Sequence, residues 1–309
     1  MSLDKPLQPP LRTNLHTTLH CALAVGGLDP GGGAGILADL RAFAAAGAFG
    51  CAALAVVTVQ STAGLRSARA LPARQVVAQA EEVLRHQDVR ALKIGALGSR
   101  ENVRAVARLL GRHASLPVVV DTPIRPSRGR SRLTHASAVA AIRDELLPRA
   151  TLLTVNLDEA TALLGLREPG DRPVRTVGEA HDAARSLVAM GARAVLVKGG
   201  HRDGPHAIDV LALDGEVTEL RAKKLPLADA HGTGCTLASL IAGRLACRAA
   251  DGTAHGTTGG ALGRRRAVPR AEALPAATLL AAVRWAKRAH HAALAQAARV
   301  GSGMAVLTF

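Results

Sequence analysis

The 309-residue chain is almost without aromatic residues: Phe43, Phe49, Phe309 and Trp285 are the whole complement, and tyrosine is absent. Any core must therefore be packed from Ala, Leu, Val and Ile. At 48% hydrophobic residues the chain has enough of them, which excludes wholesale disorder. Lysine is scarce too, at positions 5, 93, 198, 223, 224 and 287, so the formal charge of +15 is carried by arginine. From Gly243 onward ten basic residues face two acids. Single-strand nucleic-acid binders set stacking aromatics beside a basic groove; with almost none available, the excess of arginine argues against nucleic acid as a partner. Cys21, Cys51, Cys235 and Cys247 form no C-x-x-C pair, which argues against a zinc site or a disulfide framework and suits a reducing cytoplasm. No apolar run approaches the roughly 18 residues of a membrane span, and the opening MSLDKPLQPPLRTNLH is polar and proline-broken. A soluble cytoplasmic protein without a membrane partner is the expectation.

What is present is an alternation. Short apolar runs at 21–27, 51–60, 89–95, 117–121, 151–156 and 193–200 read as strands. Helical patterns at 34–46, 72–86, 101–113, 136–147 and 177–190 separate them. Strands alternating with helices of this length predict βαβ units and a mainly parallel sheet covered by helices on both faces. The runs flanking Asp214-Gly215, over 207–222, read as a hairpin that adds antiparallel strands at one edge. Helices over 233–247 and 276–298 complete the chain. Residues 1–20 read as a flexible tail and 251–275, rich in Gly and Arg without apolar periodicity, as an exposed loop insertion in a single domain spanning 21–309.

Glycine-rich turns after strands are where such sheets hold nucleotides. The Walker pattern is absent, and neither GGGAGI (31–36) nor GTGCTL (232–237) completes G-x-G-x-x-G. The turn HGTGCT (231–236) nevertheless opens a helix, whose free N–H groups and dipole favour a phosphate. Cys235 lies in that turn and has two readings: a thiolate stabilised by the helix N-terminus, or a small buried thiol. GGLDPGGGAG (26–35) is a second strand-to-helix turn, with Asp29 its one ionisable side chain.

Taken together, GGLDPGGGAGILADL (26–40), GAFGCAALAVVTVQSTAG (47–64), LKIGALGS (92–99), LLTVNLDEATALLG (152–165), VLVKGGH (195–201) and HGTGCT resemble, in order, the motifs of the hydroxymethylpyrimidine/phosphomethylpyrimidine kinases of the ribokinase-like superfamily. The resemblance covers roughly residues 22–243. Most ribokinase relatives carry Asp where this chain has Cys235. The resemblance implies a ribokinase-like α/β fold and ATP- and Mg²⁺-dependent phosphorylation of 4-amino-5-hydroxymethyl-2-methylpyrimidine and then of its monophosphate, a step of thiamine biosynthesis. It further implies Cys235 as the acceptor of the hydroxyl proton, and Gly232, Thr233 and Gly234 as an amide cradle for the transferring phosphoryl group. Gln60, Asp29, Gly27 and Ala96 would line the pyrimidine pocket. Lys198, Asn156, Glu159 and Asp121 would face ATP, with Glu159 reaching Mg²⁺ through water, and the enzyme would be a homodimer.

Two positions depart from the family pattern. D-P-V-M is replaced by Asp121-Thr122-Pro123-Ile124, and the Met of K-I-G-M by Ala96, which predicts a wider pocket unless Phe49 fills it. The alternatives are a pyridoxal-type or other hydroxymethyl-heterocycle kinase, or an inactive regulatory or nucleic-acid-binding descendant. Asp39 is expected on a helix surface or bracing a turn, and His231 without a chemical role.

Overall fold

The computed structural model describes residues 19–124, 134, 136–166, 173–200, 204–226, 230–248 and 274–309. Apart from Leu19, His20, Leu274 and Pro275, the expected tail and loop insertion lie outside the described residues.

The centre is a nine-stranded sheet. Its strands are β1 (Cys21–Leu28), β2 (Phe49–Ser61), β3 (Gly64–Ala70), β4 (Val89–Ile94), β5 (Val118–Val120), β6 (Leu152–Asn156), β7 (Ala194–Lys198), β8 (His206–Leu213) and β9 (Glu216–Lys223). They run in the order β3-β2-β1-β4-β5-β6-β7-β8-β9. Neighbours from β2 through β7 pair in parallel; β3 adds antiparallel to β2, and β8 and β9 antiparallel beyond β7. The hairpin turns at Asp214 and Gly215, both with positive φ. A mainly parallel sheet with antiparallel edges is therefore present as expected.

Strands buried on both faces need apolar residues at every position, and β1 shows how they are shared. Leu23 and Val25 join Leu92, Ile94, Val118, Val120, Leu153 and Val155 in the core on one face. Helices α2 (Ala73–His86), α3 (Arg100–Arg112) and α6 (Val177–Ala189) cover it. Ala22 and Ala24 face the other way, with Ala91, Val119, Leu152 and Leu196. That face is covered by α1 (Gly35–Ala45), α7 (Thr233–Arg248) and α8 (Ala276–Ala295). Its small residues bring α7 close to the sheet. Phe43 is fully buried there, whereas Phe49 is 50% exposed at the start of β2. Gln60 lies eleven residues further along that strand, about 35 Å at strand rise, so Phe49 cannot compensate for Ala96.

Several elements were not expected. The edge strand β3 and the seven-residue α5 (Leu157–Leu163) were not anticipated, and the 136–147 helix is only α4 (Ala136–Ala141) followed by a wider turn over Ile142–Leu146 and a tight one over Leu147–Arg149. A small second sheet joins β10 (Ala230–His231) in parallel to β12 (Ala305–Val306), with β11 (Ala298–Arg299) antiparallel on β12's other side. Met304 N donates to the Thr62 carbonyl at 2.9 Å, so the C-terminal segment ties the β2–β3 turn to the start of α7.

Candidate active site

From β1 the chain moves to β2 on one side and to β4, β5, β6 and β7 on the other. In an open α/β sheet that reversal leaves a crevice outside the carboxyl ends of the strands. Asp29 follows β1, Gln60 lies near the end of β2, Ala96 follows β4, Asp121 follows β5, Asn156 ends β6 and Lys198 ends β7. The N-terminus of α7 meets this row of strand ends, with residues of both of its groups beside it.

One group surrounds Asp29. Its Oδ1 accepts from Gly31 N at 2.9 Å and its Oδ2 from Ala34 N at 2.9 Å. His231 Nε2 lies 2.8 Å from the same Oδ2, and Gln60 Nε2 lies 3.2 Å from His231 Nε2. Burial would raise the Asp29 pKa, but the His231 contact and the two backbone N–H groups outweigh it and hold the carboxyl below its usual range. His231 thus joins Asp29 and Gln60 in one hydrogen-bonded group. Gly27 and Ala96 lie against each other: a Cβ added at Gly27 would stand 3.7 Å from that of Ala96.

The other group surrounds Asp121. Its Oδ1 accepts from Lys198 Nζ and from Thr154 Oγ1, both at 2.6 Å. Burial opposes ionisation of Asp121, but the charges of Lys198 and Lys93 win and keep its pKa low. A Cβ on Gly234 would come within 3.0 Å of Lys198 Nζ and 3.8 Å of Asp121 Oδ2, so a larger residue would crowd the lysine end that glycine leaves room for. Gly232 has φ +74°, and a side chain there would run into the Gly33 carbonyl oxygen. Asn156 and Glu159 form a reciprocal cap at the start of α5: Glu159 N donates to Asn156 Oδ1 and Asn156 N to Glu159 Oε2, each at 2.8 Å. Burial pushes the Glu159 carboxyl up to about 7 against the pull of Lys198.

Cys235 lies in the first turn of α7, and burial pushes its thiol up to about 11 despite the opposing charge of Lys93. Of the two readings of Cys235, this favours the neutral thiol over a stabilised thiolate, because loss of solvation outweighs the opposing charges. A correction concerns Asp39, which is fully buried rather than on a surface or in a turn. Lys93 Nζ donates to both of its carboxylate oxygens at 2.9 Å, and Ser239 Oγ donates to Oδ1 at 2.7 Å. Burial alone would discharge Lys93; the facing Asp39 outweighs it and holds the ammonium above its usual range.

Three bracing contacts were also missed. Gly199 N donates to Asp209 Oδ1 at 2.9 Å, Lys287 Nζ lies 2.5 Å from Asp209 Oδ2, and His290 Nε2 lies 2.9 Å from the Thr233 carbonyl. They tie α8 to the end of β7 and to the first turn of α7. Burial pushes the His290 imidazole down to about 4, so at neutral pH its neutral Nε2–H donates to that carbonyl. A lone lysine in an apolar run, as in LKIG, was the one sequence signal available for any of these residues.

The family model for phosphomethylpyrimidine kinase matches residues 29–257. The chain belongs to the phosphomethylpyrimidine kinase family. It is 40% identical over 222 residues to the hydroxymethylpyrimidine/phosphomethylpyrimidine kinase of Escherichia coli, covering 72% of this chain and 81% of that one. It is also 40% identical over 226 residues to the chloroplastic thiamine biosynthetic bifunctional enzyme TH1 of Arabidopsis thaliana, covering 72% of this chain and 42% of that one. Among solved structures, an ADP complex of Bacillus subtilis pyridoxal kinase is similar with a TM-score of 0.76 at 24% identity, covering 94% of this chain and 97% of that one. The fold is ribokinase-like.

Proposed function

We propose that the protein is an ATP-dependent kinase that phosphorylates 4-amino-5-hydroxymethyl-2-methylpyrimidine and then its monophosphate, supplying the diphosphate for thiamine biosynthesis. The observation that carries this reading is the stretch from His231 to Gly234. His231 stands against Asp29 and Gln60, and three residues later Gly234 stands against Lys198 and Asp121. Three residues span at most about 11 Å. A small ring held at Gln60 would therefore place its hydroxymethyl group beside phosphates held at α7, with Cys235 one residue further on.

In this reading Gln60, Asp29, Gly27 and Ala96 line the ring pocket, the amide offering both a donor and an acceptor to an aminopyrimidine edge. Lys198 and the N–H groups of Gly232, Thr233, Gly234 and Cys235 face the phosphates and carry charge as it shifts in the transferring group. The donor set suits ATP: an ammonium, an open glycine and a helix N-terminus converge, and a Cβ at Gly234 would fill the gap. It suits Mg²⁺ as well, through the hard oxygens of Glu159, Asp121 and Asn156. Among the described residues no cluster of three or more metal-ligating side chains converges, so the ion would be shared with the nucleotide and water, with Glu159 acting through water. Bound Mg²⁺ supplies charge neutralisation on the phosphates. Cys235 takes the hydroxyl proton, which requires its thiolate form.

The reading includes one catalytic unit across residues 21–309, a homodimer and a cytoplasmic enzyme; no helix among the described residues is long and apolar enough to cross a membrane. A second reading, a pyridoxal-type kinase, is favoured by Ala96, which widens the ring pocket where the family carries Met. Turnover of the hydroxymethylpyrimidine, its monophosphate and pyridoxal, measured side by side, separates the two.

A further inference from the structure

The Asp29–His231–Gln60 contact holds more information than its distances. Asp29 is an ionised carboxylate that accepts two backbone N–H groups, and a carboxylate offers no hydrogen to donate. Its 2.8 Å contact with His231 therefore requires the hydrogen on His231 Nε2. His231 Nδ1 is buried and has no partner among the described residues. Orphaned buried N–H groups are rarer than under-satisfied acceptors, which points to the same tautomer. An Nε2 that already donates to Asp29 cannot also accept from the Gln60 amide nitrogen placed 3.2 Å away. Two donors cannot share the contact. The two ends of an amide fill the same volume, so a half-turn about the Gln60 side-chain axis removes the conflict and sets Oε1 against the His231 Nε2–H.

We infer that His231 is a specificity-determining positioning residue: its Nε2–H fixes which end of the Gln60 amide faces which atom of the ring, and so lets the pocket accept only one of two opposite hydrogen-bonding patterns. A 4-amino pyrimidine edge presents a ring acceptor beside an exocyclic donor. A 4-oxo edge presents a ring donor beside an exocyclic acceptor. An amide free to turn satisfies either; an amide held by His231 satisfies one and leaves the other with two opposed donors and two opposed acceptors. The inference rests on the proposed placement of the pyrimidine at Gln60. His231 is itself 4% exposed, and β10–β12 pairing holds its backbone, so the ring cannot swing away to accommodate the wrong edge.

The test compares 4-amino-5-hydroxymethyl-2-methylpyrimidine with its 4-oxo analogue in the full-length enzyme and in His231→Phe, which keeps a planar ring and removes the donor. The unsubstituted enzyme is expected to prefer the 4-amino compound in kcat/KM by about 10² or more. In His231→Phe that ratio is expected to fall at least about tenfold, mainly because the 4-oxo analogue improves. Equal losses for both compounds, leaving the ratio unchanged, would overturn the inference. A readout independent of activity and of any variant is the ¹⁵N spectrum of the His231 imidazole, assigned by through-bond correlation in the unsubstituted protein. Hydrogen on Nε2 with a bare Nδ1 supports the inference; hydrogen on Nδ1 with a bare Nε2 overturns it. If the enzyme turned over neither pyrimidine, the proposed function would fail, and the imidazole spectrum would still decide the tautomer.

Discussion

Lys198 Nζ stands 2.6 Å from Asp121 Oδ1, and the hydroxyl of Thr154 shares that oxygen at the same distance. The cation proposed for the ATP phosphates is thus held at the end of β7 by a carboxylate at the end of β5, with Gly234 of α7 closing over both. Lys198→Met is expected to raise the KM for ATP and to lower kcat by about 10² or more, because a preorganised charge aimed at the phosphates is lost. ATP titrations at saturating pyrimidine check this. Unchanged ATP kinetics would remove Lys198 from the site.

The part-buried thiol of Cys235, raised to about 11, sets the pH profile. At pH 7 it is almost wholly protonated, and the form that can take a proton grows about tenfold per pH unit below its pKa. The kcat is therefore expected to climb from pH 7 toward pH 9 in the unsubstituted enzyme. In Cys235→Ala it should be lower by about 10² or more and without that climb, while ATP binding changes little. Stopped kinetics across this range, with nucleotide binding measured separately, decide it.

Glu159 titrates in the same sense but near neutrality. Its carboxyl is raised to about 7 by burial, so it loses charge as pH falls through neutrality. The Mg²⁺ concentration giving half-maximal rate is expected to rise between pH 8 and pH 6, and in Glu159→Gln to be higher and flat over the same range. Gln keeps an amide oxygen that can accept from the Asn156 N–H, so the cap at the start of α5 is retained and Tm is expected to change little.

Much of the strand and helix order could be read from the sequence because buried parallel strands are apolar at every position and their covering helices are periodic. What escaped had physical reasons. Strand β3 is an edge strand with mostly uncovered residues, so GLRSARA shows no apolar run. Helix α5 is only about two capped turns, too short to show a helical period, and Asn156 and Glu159, assigned to ATP and Mg²⁺ by the resemblance, also cap it. Strands β10, β11 and β12 are two residues each. Asp39 and Lys93 are invisible to hydropathy because each looks exposed until the other neutralises it in the interior, 54 residues away in sequence. His231 and Asp29 are 202 residues apart, and only the fold makes them neighbours.

Ala96 is buried where the family pattern carries a larger Met, and it faces Gly27. Ala96→Met is expected to fill the ring pocket, lowering the KM for the pyrimidine by a few-fold and worsening any turnover of the bulkier pyridoxal. Side-by-side substrate titrations of the two proteins check this; improved pyridoxal turnover in the variant would show that the wider pocket does not govern ring size.

The most direct test of the account is product analysis of the purified enzyme with ATP and Mg²⁺, offered the hydroxymethylpyrimidine, its monophosphate and pyridoxal in parallel. The account predicts successive formation of the pyrimidine monophosphate and diphosphate, with kcat/KM for the pyrimidine exceeding that for pyridoxal by about tenfold or more. A preference for pyridoxal with a single phosphorylation, or no turnover of either pyrimidine, would contradict it.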